Sequence, residues 1–275
     1  MGEGASGFRP GDRVVPNIFY ACGECRYCRR DRETLCPHLD GILGVLKHPG
    51  AYAECFTIPA RQLSHLPESI SFADGAVIAD AVVTAVHAVR RRSQVHPGDW
   101  VLVFGAGGVG QCVIQAARAA GAEVLAADVD RAKLERAQAV GATDTAISGT
   151  AEFAGWVKEQ TGGQGVDVVY DCHGSEQTLR DALAVLAPGG RLVTVGYTQE
   201  TFALSPQRTS RAELEIVGSR SGGRRDTLEA IQLVASGGWH SIVSDIFPLE
   251  RINEALELLR SGQARGRIVI TINGE

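Results

Sequence analysis

The segment Gly105-Ala106-Gly107-Gly108-Val109-Gly110 constrains this chain more than any other. It follows the apolar run WVLVF and opens the helically patterned run QCVIQAARAAG. In that strand–turn–helix context, glycines at this spacing build a dinucleotide site. Gly105 permits the tight turn, Gly107 lets the backbone approach a pyrophosphate, and Gly110 lets the helix pack closely on the strand. The first helical turn, with Gly108 and Val109, offers free N–H groups and a partial positive charge to the phosphates. Asp128 ends the next apolar run, EVLAAD, eighteen residues after Gly110. A carboxylate there accepts hydrogen bonds from the adenosine ribose hydroxyls and repels a 2′-phosphate, which predicts NAD rather than NADP. Arg131 is close enough to offer a phosphate partner, but its ordinary reading is a solvated residue at a helix start capped by Asp130.

From His96 onward, continuous apolar runs alternate with helical ones: VDVVYD, TLRDALAVLAPGG, RLVTVGY and others. Apolar strands separated by helices predict an α/β fold with a Rossmann doubly wound parallel sheet, covered on both faces. The preceding region has short β-rich runs (DRVVP, GAYAECFTIP, RQLSHLP) cut by Pro and Gly, then the apolar helical run IADAVVTAVHAVRR. The expected division is a partial β-rich domain over 1–83, a dinucleotide-binding domain over 84–217 and a return segment over 218–275. A net charge of −5 and a pI near 5.8 argue against nucleic acid or an anionic membrane as partner. The start of the chain, MGEGASGFRPGDR, lacks the regions of a secretory signal, so the expected location is cytoplasmic.

Four of the seven cysteines crowd into one window: Cys22, Cys25, Cys28 and Cys36. Four thiolates so close suit a closed tetrahedral Zn²⁺ site with no open position, which is a structural site. An iron–sulfur cluster competes on the C-x2-C-x2-C pattern, but the last gap does not match ferredoxin spacing. Cys55, Cys112 and Cys172 read as small hydrophobes.

These motifs, with GFRPGDRVV, ACGECRYCRRDRETLC, GAYAE, AADVDRAKLERAQAVGA, GGRLVTVGY and INEALELLRSGQARGRIVI, resemble the zinc-containing alcohol dehydrogenases of the medium-chain dehydrogenase/reductase superfamily. The resemblance implies that the first domain is GroES-like, that its cysteine lobe holds structural zinc, and that the C-terminal segment returns to it. It further implies that Lys133 touches the adenosine ribose, Arg267 the pyrophosphate, and that Val195 and Gly196 flank the nicotinamide. Asp80 falls where the family places its third ligand to a catalytic zinc, although a helix cap or a hydrogen-bonded buried acid is an equal reading of the residue itself. Expected partners are a small alcohol or carbonyl substrate and further copies of the chain in a homodimer or homotetramer.

The family's Gly-His-Glu zinc segment is not in this sequence, and no catalytic residue is assigned from it. Met1-Gly2-Glu3-Gly4 stands where family members commonly read Val-Gly-Glu-Gly, and Met1 is the single methionine. The expectation is a truncated gene model or fragment, with that segment encoded upstream. Three functions follow: an NAD-dependent, zinc-type alcohol dehydrogenase; a catalytically incompetent NAD(H)-binding fragment with one structural zinc; or a related zinc-independent enoyl reductase. His173, at a strand's carboxyl end, could line the cofactor crevice. His87 reads as structural, and His38, His48 and His65 lack the spacing of a second metal site. No G-x-S-x-G elbow supports hydrolysis.

Overall fold

The computed structural model of the protein describes residues 2 and 5–272. Met1, Glu3 and Gly4 lie outside the described residues, so the reading of that motif rests on sequence alone. The chain divides into two compact units, one of residues 1–83 with 221–275, the other of residues 84–220.

Unit one opens with β1 (Val14–Pro16), then the cysteine loop, then the short parallel pair β2 (Ile42–Leu43) and β3 (Lys47–His48). β4 (Leu63–His65) pairs antiparallel with β1, Val14 opposite His65. The run GAYAECFTIP, expected to be β-rich, carries no strand: residues 51–59 are irregular, with Tyr52, Cys55 and Phe56 exposed. A β-prone sequence becomes a strand only where a neighbour supplies ladder partners, and none lies beside it among the described residues. Ser71 caps α1 (Phe72–Val77) by accepting the Asp74 N–H at 3.0 Å, a common helix start. The helix widens to a π turn at Ile78–Val82, returns to α form in α2 (Val83–His87), and widens again at Ala88–Ser93. Gln94, left-handed at φ 56°, ends it. Phe72–Ser93 is long and apolar enough to span a membrane, but 67% of its most apolar window is buried, as in the core helix of a globular protein.

Unit two is a six-stranded, wholly parallel sheet. Along the chain run β5 (Trp100–Phe104), α3 (Gly108–Ala119), β6 (Glu123–Asp128), α4 (Arg131–Ala139), β7 (Asp144–Ile147) and α5 (Phe153–Gln160). β8 (Val166–Asp171), α6 (Glu176–Val185), β9 (Leu186–Thr194), α7 (Pro206–Arg211) and β10 (Glu215–Gly218) follow. The spatial order β10-β9-β8-β5-β6-β7 is the doubly wound arrangement, reversing between β5 and β8. The expected α/β class is therefore the one that forms. Leu102, Phe104, Leu125, Val169, Leu183 and Leu192 are buried in one apolar cluster, as expected for a sheet covered on both faces.

One polar network lies outside that cluster. The hydroxyl of Tyr170, on β8, hydrogen-bonds Ser93 Oγ at the end of the helical run. Arg191, on β9, donates to the Ser93 carbonyl and pairs with Glu215 on β10 at 2.5 Å. Burial pushes the Tyr170 phenol above its ordinary pKa.

The return segment of unit one carries α8 (Arg224–Ala235), β11 (Val243–Pro248), α9 (Ile252–Arg260) and β12 (Arg267–Thr271). β11 and β12 pair in parallel, Ile246 beside Val269. Asp31, from the cysteine loop, pairs with Arg225 at 3.4 Å. Glu33 Oε2 lies where a side chain on Gly223 would begin, 2.0 Å from an ideal Cβ. Burial raises the Glu33 carboxyl. Glycine at 223 thus lets the cysteine loop seat against the start of α8.

Candidate cofactor and metal sites

The glycine turn begins where β5 ends. Gly105 adopts φ +85°, a conformation that L side chains rarely enter, and its N–H donates to the Ala127 carbonyl on β6 at 2.8 Å. Gly110 is needed for space: a Cβ there would lie 1.9 Å from the Gly105 carbonyl oxygen. Gly107 differs, since a Cβ on it would meet nothing within 4 Å. The space before the helix is open, and no side chain caps it. Gly107, Gly108 and Val109 are half-exposed at this rim, so the first N–H groups of α3 face a cradle suited to a pyrophosphate.

Asp128 is buried at the end of β6. Its Oδ2 accepts the Ala106 N–H at 2.7 Å and its Oδ1 the Asp130 N–H at 3.0 Å. A carboxylate offers about four acceptor positions, so these two bonds orient it across the glycine turn while leaving capacity for ribose hydroxyls. The Ala106 contact is a bond the sequence pattern does not announce. Asp130 caps α4 by accepting the Ala132 N–H at 2.8 Å, which places half-buried Lys133 in the first turn. Val195 and Gly196 follow β9, and both N–H groups donate to the Asp171 carbonyl at 2.9 Å. His173 is exposed beside them, at the carboxyl end of β8.

The four cysteines converge in unit one. Their sulfurs all lie within 4.8 Å of one another, and four of the pairs are separated by 3.5 Å (Cys25–Cys28) to 3.9 Å (Cys22–Cys28 and Cys25–Cys36). A zinc ion about 2.3 Å from each sulfur requires tetrahedron edges of about 3.8 Å, so the donor set fits that ion. The Cys25 N–H donates to Cys22 Sγ at 3.4 Å and the Cys22 N–H to Cys36 Sγ at 3.5 Å. Backbone N–H groups of Glu24 and Cys25 hold the Cys22 thiol down to about 6, while burial pushes Cys28 up to about 12. Four coexisting thiolates therefore call for a cation.

Asp80 stands elsewhere, in the π turn, with its Oδ2 accepting from Arg267 Nη2 at 2.7 Å. The structure thus joins two residues for which the family resemblance implied different ligands. Among the described residues, the cysteine cluster is the one grouping of three or more His, Cys, Asp or Glu donors able to hold a metal. Those residues do not supply a second metal site around Asp80.

A doubly wound sheet with a glycine cradle at its switch point, an acid closing the second strand and a four-cysteine lobe define the class of NAD-linked, zinc-containing oxidoreductases. Comparison with known proteins gives the family. Residues 108–236 match the family "Zinc-binding dehydrogenase" and residues 1–68 the "Alcohol dehydrogenase GroES-like domain". An alcohol dehydrogenase of Geobacillus stearothermophilus is 34% identical over 274 residues, covering 99% of this chain and 80% of the relative. An acryloyl-coenzyme A reductase of Metallosphaera sedula is 32% identical, covering 98% and 79%. The crystal structure of an NAD-dependent alcohol dehydrogenase superposes with a TM-score of 0.91 at 32% identity, covering 99% of this chain and 79% of that one. The chain belongs to the zinc-containing alcohol dehydrogenases of the medium-chain dehydrogenase/reductase superfamily. It is an NAD-dependent oxidoreductase of that family, with a cysteine lobe of the structural-zinc type.

Proposed function

We propose that the chain serves hydride transfer between a small alcohol or carbonyl compound and NAD(H), through the following residues. Gly105, Gly107, Gly108, Val109 and Gly110 hold the pyrophosphate, Asp128 takes the adenosine ribose with Lys133 beside it, and Val195 and Gly196 flank the nicotinamide. Bound nicotinamide supplies the hydride-carrying carbon. The protein supplies its orientation and the dry surface of the strand ends. Cys22, Cys25, Cys28 and Cys36 hold one zinc that closes the loop of unit one and meets no substrate. Asp80 acts as the anionic partner of Arg267.

The observation that carries this reading is the braced Asp128 carboxylate, fixed by two backbone N–H groups against the open cradle. The test combines cofactor binding with turnover. Titration should show NADH binding well ahead of NADPH, and NAD-dependent oxidation of short alcohols should raise absorbance of the reduced cofactor. Metal analysis should return at least one zinc per chain, the ion of the cysteine lobe. No NADH binding, or equal preference for NADPH, sinks the cofactor assignment. NADH consumption with an enoyl substrate and none with aldehydes or ketones would replace the alcohol assignment with a double-bond reductase.

A further inference from the structure

Asp171 is the last residue of β8 and is fully buried, yet it belongs neither to the glycine motif nor to the ribose position. Its Oδ1 accepts the N–H groups of His173 and Gly174, each at 2.9 Å, and its Oδ2 accepts the Thr178 hydroxyl at 3.0 Å. Its carbonyl oxygen accepts the N–H groups of Val195 and Gly196. One residue therefore holds the loop after β8, the first turn of α6 and the loop after β9. These loops have no slack between them. A Cβ on Gly196 would lie 2.7 Å from the Cys172 carbonyl, and Gly174, at φ +86°, would place one 3.0 Å from the Gly196 backbone. The glycine turn meets the same backbone, since a Cβ on Gly105 would lie 3.5 Å from Cys172 and His173. All this sits where the strand order reverses, the place at which open α/β sheets bind ligands.

The carboxylate's three partners are neutral dipoles, with no cation among them. Neutral donors satisfy its hydrogen bonds without cancelling its charge, and in a buried setting that charge acts at a distance with little screening by salt. Burial first, and the Asp171 charge second, push the Cys172 thiol up.

We propose that Asp171 is a positioning residue for the nicotinamide end of the site, and that its buried charge favours the cationic ring of NAD⁺ over the neutral ring of NADH. This rests on the placement of Val195 and Gly196 beside the nicotinamide in the function proposed above. Asp171→Asn separates the two roles, because the amide oxygen still accepts the His173 and Gly174 N–H groups while the charge is gone. Dissociation constants of both cofactor forms are read from quenching of the protein's tryptophan fluorescence. The expected result is NADH affinity within about twofold of wild type and NAD⁺ affinity weakened by about fivefold or more, as loss of a weakly screened charge attraction demands. Asp171→Ser removes the charge with a different shape and should shift the ratio the same way. Thr178→Val keeps the charge and should leave the ratio within about twofold. An unchanged ratio in the neutral variants, equal loss of both forms, or an equal shift in Thr178→Val overturns the inference. A wild-type chain that binds neither form overturns the cofactor reading itself.

Discussion

Asp128 and Asp171 are both buried carboxylates at strand ends, and their hydrogen-bond partners give them different work. Asp128 faces the open cradle with acceptor capacity to spare, while Asp171 spends its acceptors on three pieces of backbone and helix. The role of Asp128 can be tested while one of the two bonds of its brace is kept. Asp128→Asn keeps an oxygen for the Ala106 N–H but removes the charge that repels a 2′-phosphate. The NAD-to-NADP affinity ratio should fall by about tenfold, the scale of one charged hydrogen bond; an unchanged ratio removes Asp128 from cofactor selection. At this scale, legibility in the sequence followed distance along the chain. The glycines and the four cysteines were readable because each set lies within a few residues and carries its geometry in its spacing. The Asp80–Arg267 pair spans 187 positions, and the Asp171 bonds to Val195 and Gly196 depend on two strands becoming neighbours. No local pattern reports either.

Among elements, the parallel strands were legible because strands buried on both faces read as unbroken apolar runs, and the cap Asp130 marks the start of α4. The irregular stretch 51–59 was not legible, since its β-rich composition speaks of propensity and says nothing of a partner. The network joining the helical run to the sheet is the element-scale contact most open to measurement. Tyr170→Phe deletes the buried hydroxyl that meets Ser93 Oγ, while Ser93 keeps its bond to the Val89 carbonyl at 2.8 Å. Stability to urea should drop by about 1–2 kcal/mol with cofactor affinity unchanged. A neutral result would mean that Arg191, through the Ser93 carbonyl and Glu215, holds that helix end by itself.

For the molecule as a whole, the metal lobe and the nucleotide fold differ in what holds them. The sheet of unit two rests on its apolar core, whereas the loop from Cys22 to Cys36 contains only two short 3-10 turns, Cys28–Arg30 and Glu33–Leu35, and depends on its sulfurs. Chelation of zinc should therefore open this loop to protease while the parallel-sheet signal in circular dichroism persists; resistance of the loop after verified metal loss would contradict the assignment. The pH dependence has a definite sign. Cys28 is pushed up to about 12 and Cys22 held down to about 6, so metal binding must expel protons, the Cys28 proton above all. Zinc affinity should weaken as pH falls from 8 toward 6, fastest near the lower end where Cys22 also protonates. An affinity flat over that range would rule out thiolate ligation.

Unit one is assembled from two stretches that residues 84–220 interrupt. On a ribosome, where chains emerge N-terminus first and domains close as units, the β5-to-β10 sheet has all its strands once Gly218 is clear. The cysteine loop must wait through that whole interval for α8, whose first residues it meets. The thiols of Cys22 to Cys36 are thus presented to solvent metal before their permanent neighbours exist, and zinc capture at that stage would hold the loop ready for Arg225 and Gly223 when they arrive.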